Sequence, residues 1–67
     1  MPNAFETAVA ALIDGYRADR AGQRGPTDID PKMAAARQAG HKQRDITNEA
    51  DRRWGAELIA NANRKGQ

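Results

Sequence analysis

The 67-residue chain predicts an all-α fold, a helical hairpin with a short first helix and a long second one. Two observations carry this expectation. Fourteen alanines favour helix strongly without filling a core. Apolar side chains also recur at three- and four-residue spacing in two segments, separated by a stretch containing Gly22, Gly25 and Pro26. The alternative form is a three-helix bundle broken at Gly40. Residues 1–67 make one small domain in either case.

The first helix is expected over about residues 4–21. Asn3 is a good N-cap, and Glu6 stands where a capping box would let it reach back to the Asn3 amide. Phe5, Val9, Leu12 and Tyr16 repeat at 4-3-4 spacing and Ile13 widens the stripe, so the large apolar side chains share a face. Residues 22–29 form the linker, a normal length for turning one helix back on another.

The second helix is expected over about residues 30–64. Asp30 can cap it with Pro31 at the first helical position, and Thr27 offers a competing cap one turn earlier. Ile29, Met33, Ala36, Gly40, Gln43, Thr47, Ala50, Trp54 and Leu58 form a seam at 3-4 spacing along a rod roughly 50 Å long. A first helix of about 27 Å covers that rod only as far as residue 48. Trp54, Leu58 and Ile59 would then project past the end of the hairpin as an interface anchor.

Gly40 and Gly55 weigh against a continuous helix, at about 1 kcal/mol each relative to alanine. If the helix stopped at Gly40, residues 41–45 would form a turn and Asp45 or Thr47 would cap a third helix. Trp54, Leu58 and Ile59 could then fold back on the first helix. The seam keeps its phase through residues 40–47, which favours continuity.

Composition limits the core and the chemistry. Leu, Ile, Val and Phe number eight in all, so a self-sufficient core is hard to build, and chains of this size commonly rely on a metal, disulfides or a partner. There is no cysteine, and a single histidine argues against a structural zinc site, so no metal or cofactor is expected. A protein partner or homo-oligomer remains. With no serine or cysteine the usual nucleophile and base arrangements cannot be assembled, and a non-enzymatic role follows. His41, Asp45 and Glu49 would share a helical flank, best read as a surface pair with a neighbouring acid. GQRGP, residues 22–26, lacks the lysine and hydroxyl of a phosphate loop.

The longest apolar run, residues 8–13, is far too short to span a membrane, and no basic leader precedes it. The expected setting is the cytoplasm or a soluble assembly such as a virion. The alanine, arginine and aspartate usage would suit a GC-rich bacterial or phage genome.

Charge is unevenly divided. Residues 1–31 carry three basic against five acidic side chains, a net of −2, whereas residues 32–67 carry eight against four, a net of +4. Arg37, His41, Arg44 and Arg52 would line one flank of the long helix and could follow phosphates. Ala36, Gly40 and Ile46 also sit at offsets resembling the small residue, turn glycine and buried aliphatic of a helix-turn-helix. The next buried position of that pattern falls on Glu49, where the match fails. If it held, Arg44, Asn48, Arg52 and Arg53 would read the bases.

The function these features favour is protein-protein interaction, as a minor structural subunit or an accessory or inhibitor protein, with phage or mobile-element proteins as one such setting. Trp54, Leu58 and Ile59, flanked by Arg52 and Arg53, would enter a groove of the partner. The alternative is a small dimeric nucleic-acid-binding protein using Arg37, His41, Arg44 and Arg52.

Overall fold

The computed structural model describes residues 3–65 and contains α1 (Ala4–Arg20), α2 (Ile29–Gln38) and α3 (Gln43–Lys65). It is all-α, as the sequence dictates. No strand occurs among the described residues.

Asn3 caps α1 as expected, its side-chain oxygen accepting from the Glu6 amide at 2.8 Å. The reciprocal half of the capping box is given up, because the Glu6 carboxylate turns instead to Arg53. At its other end α1 closes with a left-handed glycine. Gly22 sits at φ 69, its amide donates to the Asp19 carbonyl at 3.1 Å, and the Gln23 amide donates to Ala18 at 2.8 Å. This pair of bonds is the Schellman closure.

The same closure recurs eighteen residues later, and it corrects the expectation of an unbroken helix over 30–64. Gly40 adopts φ 101, its amide donates to Arg37 at 3.0 Å, and the His41 amide donates to Ala36 at 3.1 Å. Residues 39–42 therefore form a turn between α2 and α3. Ala39-Gly40 repeats Ala21-Gly22, so the chain stops two helices with one device. The seam did not require continuity, because its middle members Gly40 and Gln43 are exposed while Ile46, off the seam, is fully buried.

Asp28, not Asp30, occupies the N-cap of α2. Its carboxylate makes no capping bond and instead pairs with Lys32 at 2.7 Å, which holds it below the usual carboxylate range. Pro31 falls in the first turn, where the missing amide proton removes no helical bond.

Chain direction follows from three contacts. A Cβ built on Gly15 would lie 3.1 Å from the Ile29 side chain, and the Phe5 ring lies 5.1 Å from that of His41. These opposed ends make α2 antiparallel to α1. Arg17 pairs with Glu57, so α3, starting near Phe5, runs in the same sense as α1. Helix α1 packs against both others. Val9 and Ile46 are the largest fully buried side chains, joined in the core by Ala8, Met33, Ala36 and Ala50. Alanine at three of those positions lets the helices approach closely and keeps the core small. The outline is a rod of 44 × 23 × 22 Å.

Candidate functional site

The C-terminal half of α3 holds the expected anchor residues, and the structure separates them. Trp54 does not project past the fold. It is partly buried, with its ring 6.1 Å from Tyr16 at an interplanar angle of 44°. Because α3 runs alongside α1 in the same sense, α1 reaches well beyond residue 48 and covers Trp54. The Tyr16 hydroxyl donates to Asp51 at 2.8 Å, and burial first, then this bond, raises its pKa above 10.0. Leu58 is partly buried as well.

Ile59 is different. At 64% exposure it is the one exposed large apolar side chain among the described residues. From Ile59 to Arg64 every side chain is exposed, so the end of α3 stands clear of α1 on all sides. Arg17 grips Glu57 just before this overhang through two contacts, Nε to Oε2 at 2.8 Å among them, and also meets Asp14 at 3.1 Å. That grip lowers the Glu57 pKa and raises that of Arg17.

Arg52 and Arg53, expected to flank the anchor, are already engaged within the chain. Arg53 bonds both oxygens of Glu6, at 2.8 and 3.0 Å, and also Glu49. Arg52 donates through Nε to the other Glu49 oxygen at 3.1 Å. Hydrogen bonds from Arg52, then Arg53, push the Glu49 carboxyl down to about 2, and Arg53 likewise lowers that of Glu6. The four side chains clamp the start of α1 to the middle of α3. The Glu49 and Arg53 spacing of four marks half of this clamp in the sequence, whereas Glu6 lies 47 residues away and carries no local signal.

The basic residues are rearranged by the break at Gly40. Arg37 lies in the last turn of α2 and donates to the Gln43 side chain at 3.0 Å, His41 lies in the turn against Phe5, and Arg44 occupies the first turn of α3 with its side chain 76% exposed. Arg52 leaves this group for Glu49. Lys42, not singled out by the sequence pattern, lies exposed in the turn beside them. His41 sits outside any helix, so it does not share a helical flank with Asp45 and Glu49, and no group of metal-ligating side chains occurs among the described residues. No pocket opens among them either.

Around that turn the helix-turn-helix offsets acquire geometry. Ala36 and Ile46 are fully buried, Met33 joins them from α2, and Gly40 takes the positive φ. Glu49, placed where the motif has an aliphatic, is tethered by two arginines. Arg53, one of the residues proposed to read bases, points inward to Glu6, while Arg44 and Asn48 remain exposed.

No helix among the described residues is long and apolar enough to cross a membrane. Compared with known proteins, the chain matches no family model, no curated protein and no solved structure.

Proposed function

We propose that the chain is a small non-enzymatic interaction module that docks on a larger protein assembly through the end of α3. The observation that carries this reading is the exposed Ile59, with partly exposed Leu58 beside it, on a helix end that no other described residue covers. A helix that stands free of its own fold lacks the tertiary packing on which most helical stability depends. A groove on a partner supplies it, with Leu58 and Ile59 entering as adjacent apolar anchors.

Surface area agrees with an uncovered face. The chain exposes 4920 Å² at 7.3 kDa, against about 4,200 Å² for a compact monomer of that mass. Phe5, Leu12, Ile13, Tyr16 and Ile29 surround the core but are only partly buried, so apolar surface remains along the rod as well. In this reading Trp54 supports the docking helix from behind, and Arg52 and Arg53 fix its angle through the clamp to Glu6.

The test is affinity capture from cells that make the protein, run in parallel with the native chain and with Ile59→Asp. A protein retained by the native chain and lost with Ile59→Asp supports the reading. Identical retained sets from the two baits, with sedimentation showing both as monomers, would overturn it.

A further inference from the structure

A second surface lies between α2 and α3, separate from the helix end proposed to dock. We infer that it is the interface of a two-fold homodimer, in which α2 of a second copy lies antiparallel beside α2 and Asp30 of each chain pairs with Arg37 of the partner subunit.

The fold leaves this face open. Helix α1 packs against both other helices, whereas α2 and α3 scarcely touch each other. Residues of α1 that point between them are therefore incompletely covered. Phe5, Leu12 and Tyr16 share that side of α1 at seven- and four-residue spacing. Phe5 is met by His41 of the turn and Tyr16 by Trp54 of α3, while Leu12, between them, stays partly buried. Met33 borders the face from α2, and Trp54 and Leu58, four residues apart, border it from α3.

The charges on α2 identify the occupant. Arg37 donates to Gln43 of α3, so its flank of α2 is the one turned toward this face. Asp30 stands seven residues earlier, two turns back on the same flank and about 10 Å away along the axis. Both residues are exposed, and neither has an ion-pair partner among the described residues. Midway between them stand Met33 and Ala34. A two-fold axis through that midpoint sets a second α2 antiparallel to the first and brings each Asp30 to Arg37 of the partner subunit, because an isologous interface repeats every contact. A parallel pair would instead set like charges against each other. The spacing that an unrelated partner would have to match, a second copy carries already. Ala34 at the crossing is small enough for the two axes to approach to about 8–10 Å.

The area is adequate for a dimer. The 4920 Å² of the chain exceeds the surface of a compact monomer of its mass by roughly 700 Å². Each partner in a standard interface contributes about 800 Å². Ile59 takes no part, since one residue beyond Leu58 it is turned about 100° around α3 and off this face.

Sedimentation equilibrium of the full chain at ~10–200 µM in ~50 mM salt, where surface charges are weakly screened, tests the inference. Dimers that dissociate on dilution are expected. Asp30→Arg leaves two cations on the flank and Arg37→Asp leaves two anions, so each variant alone should dimerise roughly tenfold or more weakly than the native chain. Mixed in equal amounts, the two variants should form a heterodimer of near-native affinity, because the basic flank of one meets the acidic flank of the other. That recovery requires both to be folded, which separates a lost contact from a lost fold. The double reversal, Asp30→Arg with Arg37→Asp, should restore self-association within a single chain. Ile59→Asp should dimerise as the native chain does. A native chain that stays monomeric throughout, single variants that associate undiminished, or no heterodimer from variants of native helicity would overturn the inference. A dimer abolished by Ile59→Asp would overturn it too, while leaving docking through the end of α3 in place.

Discussion

The Tyr16 ring rests against Trp54 at 6.1 Å, joining the last turns of α1 to the middle of α3. With the Tyr16 hydroxyl bonded to Asp51, the contact fixes α3 from both sides of one turn. It also divides the apolar residues of α3 by role. Trp54 belongs to the fold, whereas Ile59, five residues on, stays 64% exposed.

That division predicts opposite phenotypes for two substitutions on one helix. Trp54→Ala removes a partly buried aromatic and its tilted pair with Tyr16, and should cost about 1–3 kcal/mol, less than the loss of a fully buried ring. Ile59→Ala should change stability by less than about 0.5 kcal/mol, as for an ordinary surface site. Thermal unfolding followed by circular dichroism distinguishes them. A loss of stability in Ile59→Ala equal to that in Trp54→Ala would show that the overhang packs on the chain after all.

The sequence made the class, the first helix and most of the core legible, and the reasons are local. The N-cap at Asn3, the stop at Gly22 and the stripe of Phe5, Val9, Leu12 and Tyr16 each follow from residues within a few positions of one another. Gly40 carried the same local signal as Gly22, but the apolar spacing continued across it and outweighed it. The turn is settled by what the spacing omits, the burial of Ile46 against Val9, which depends on the direction in which α3 returns along α1. Parallel alignment of α1 and α3 left no trace in either helix taken alone. For that reason the cover over Trp54 and the clamp of Glu6, Glu49 and Arg53 could not be read in advance.

The two mid-chain glycines should respond oppositely to alanine. Gly40 sits at φ 101, a region L-residues enter only with strain, so Gly40→Ala should destabilise by about 1–2 kcal/mol. Gly55 lies inside α3, and a Cβ there would meet nothing within 4 Å. Gly55→Ala should stabilise by about 0.5–1 kcal/mol through helix propensity and a less flexible unfolded chain. Urea unfolding of both variants is the measurement, and a stabilised Gly40→Ala would argue that α2 and α3 join into one helix.

Stability should be lost at both extremes of pH, through different groups. Glu49 drops from an ordinary 4.5 to about 2 in the fold, so its contribution is complete above 4.5 and disappears as pH falls toward 2. Glu6, Glu57 and Asp28 are lowered too and act in the same direction. Tyr16 is raised above 10.0, so its contribution is complete below that pH and is lost as the solution becomes more alkaline. Melting temperature against pH should therefore fall on the acid side below about 4.5, and Glu49→Gln should flatten that limb. The carboxylates are solvent-accessible, so added salt should shrink the effect.

The smallness of the core sets the last expectation. At about 0.05–0.15 kcal/mol per residue, a chain of this length has a total stability of roughly 3–10 kcal/mol. Ile46 is fully buried among Val9, Met33 and alanines, whose short side chains cannot collapse into a vacated space. Ile46→Ala should therefore cost about 2–4 kcal/mol, enough to leave a sizeable unfolded fraction. Circular dichroism should show reduced helicity and a broadened melt at room temperature. A ligand that binds only the folded chain must restore that helicity as its concentration rises, because mass action couples binding to folding. Ile46→Ala thus becomes a sensor for a partner: helicity regained on adding a captured protein identifies a ligand of the native fold. A protein that binds without restoring helicity would be binding the unfolded chain instead.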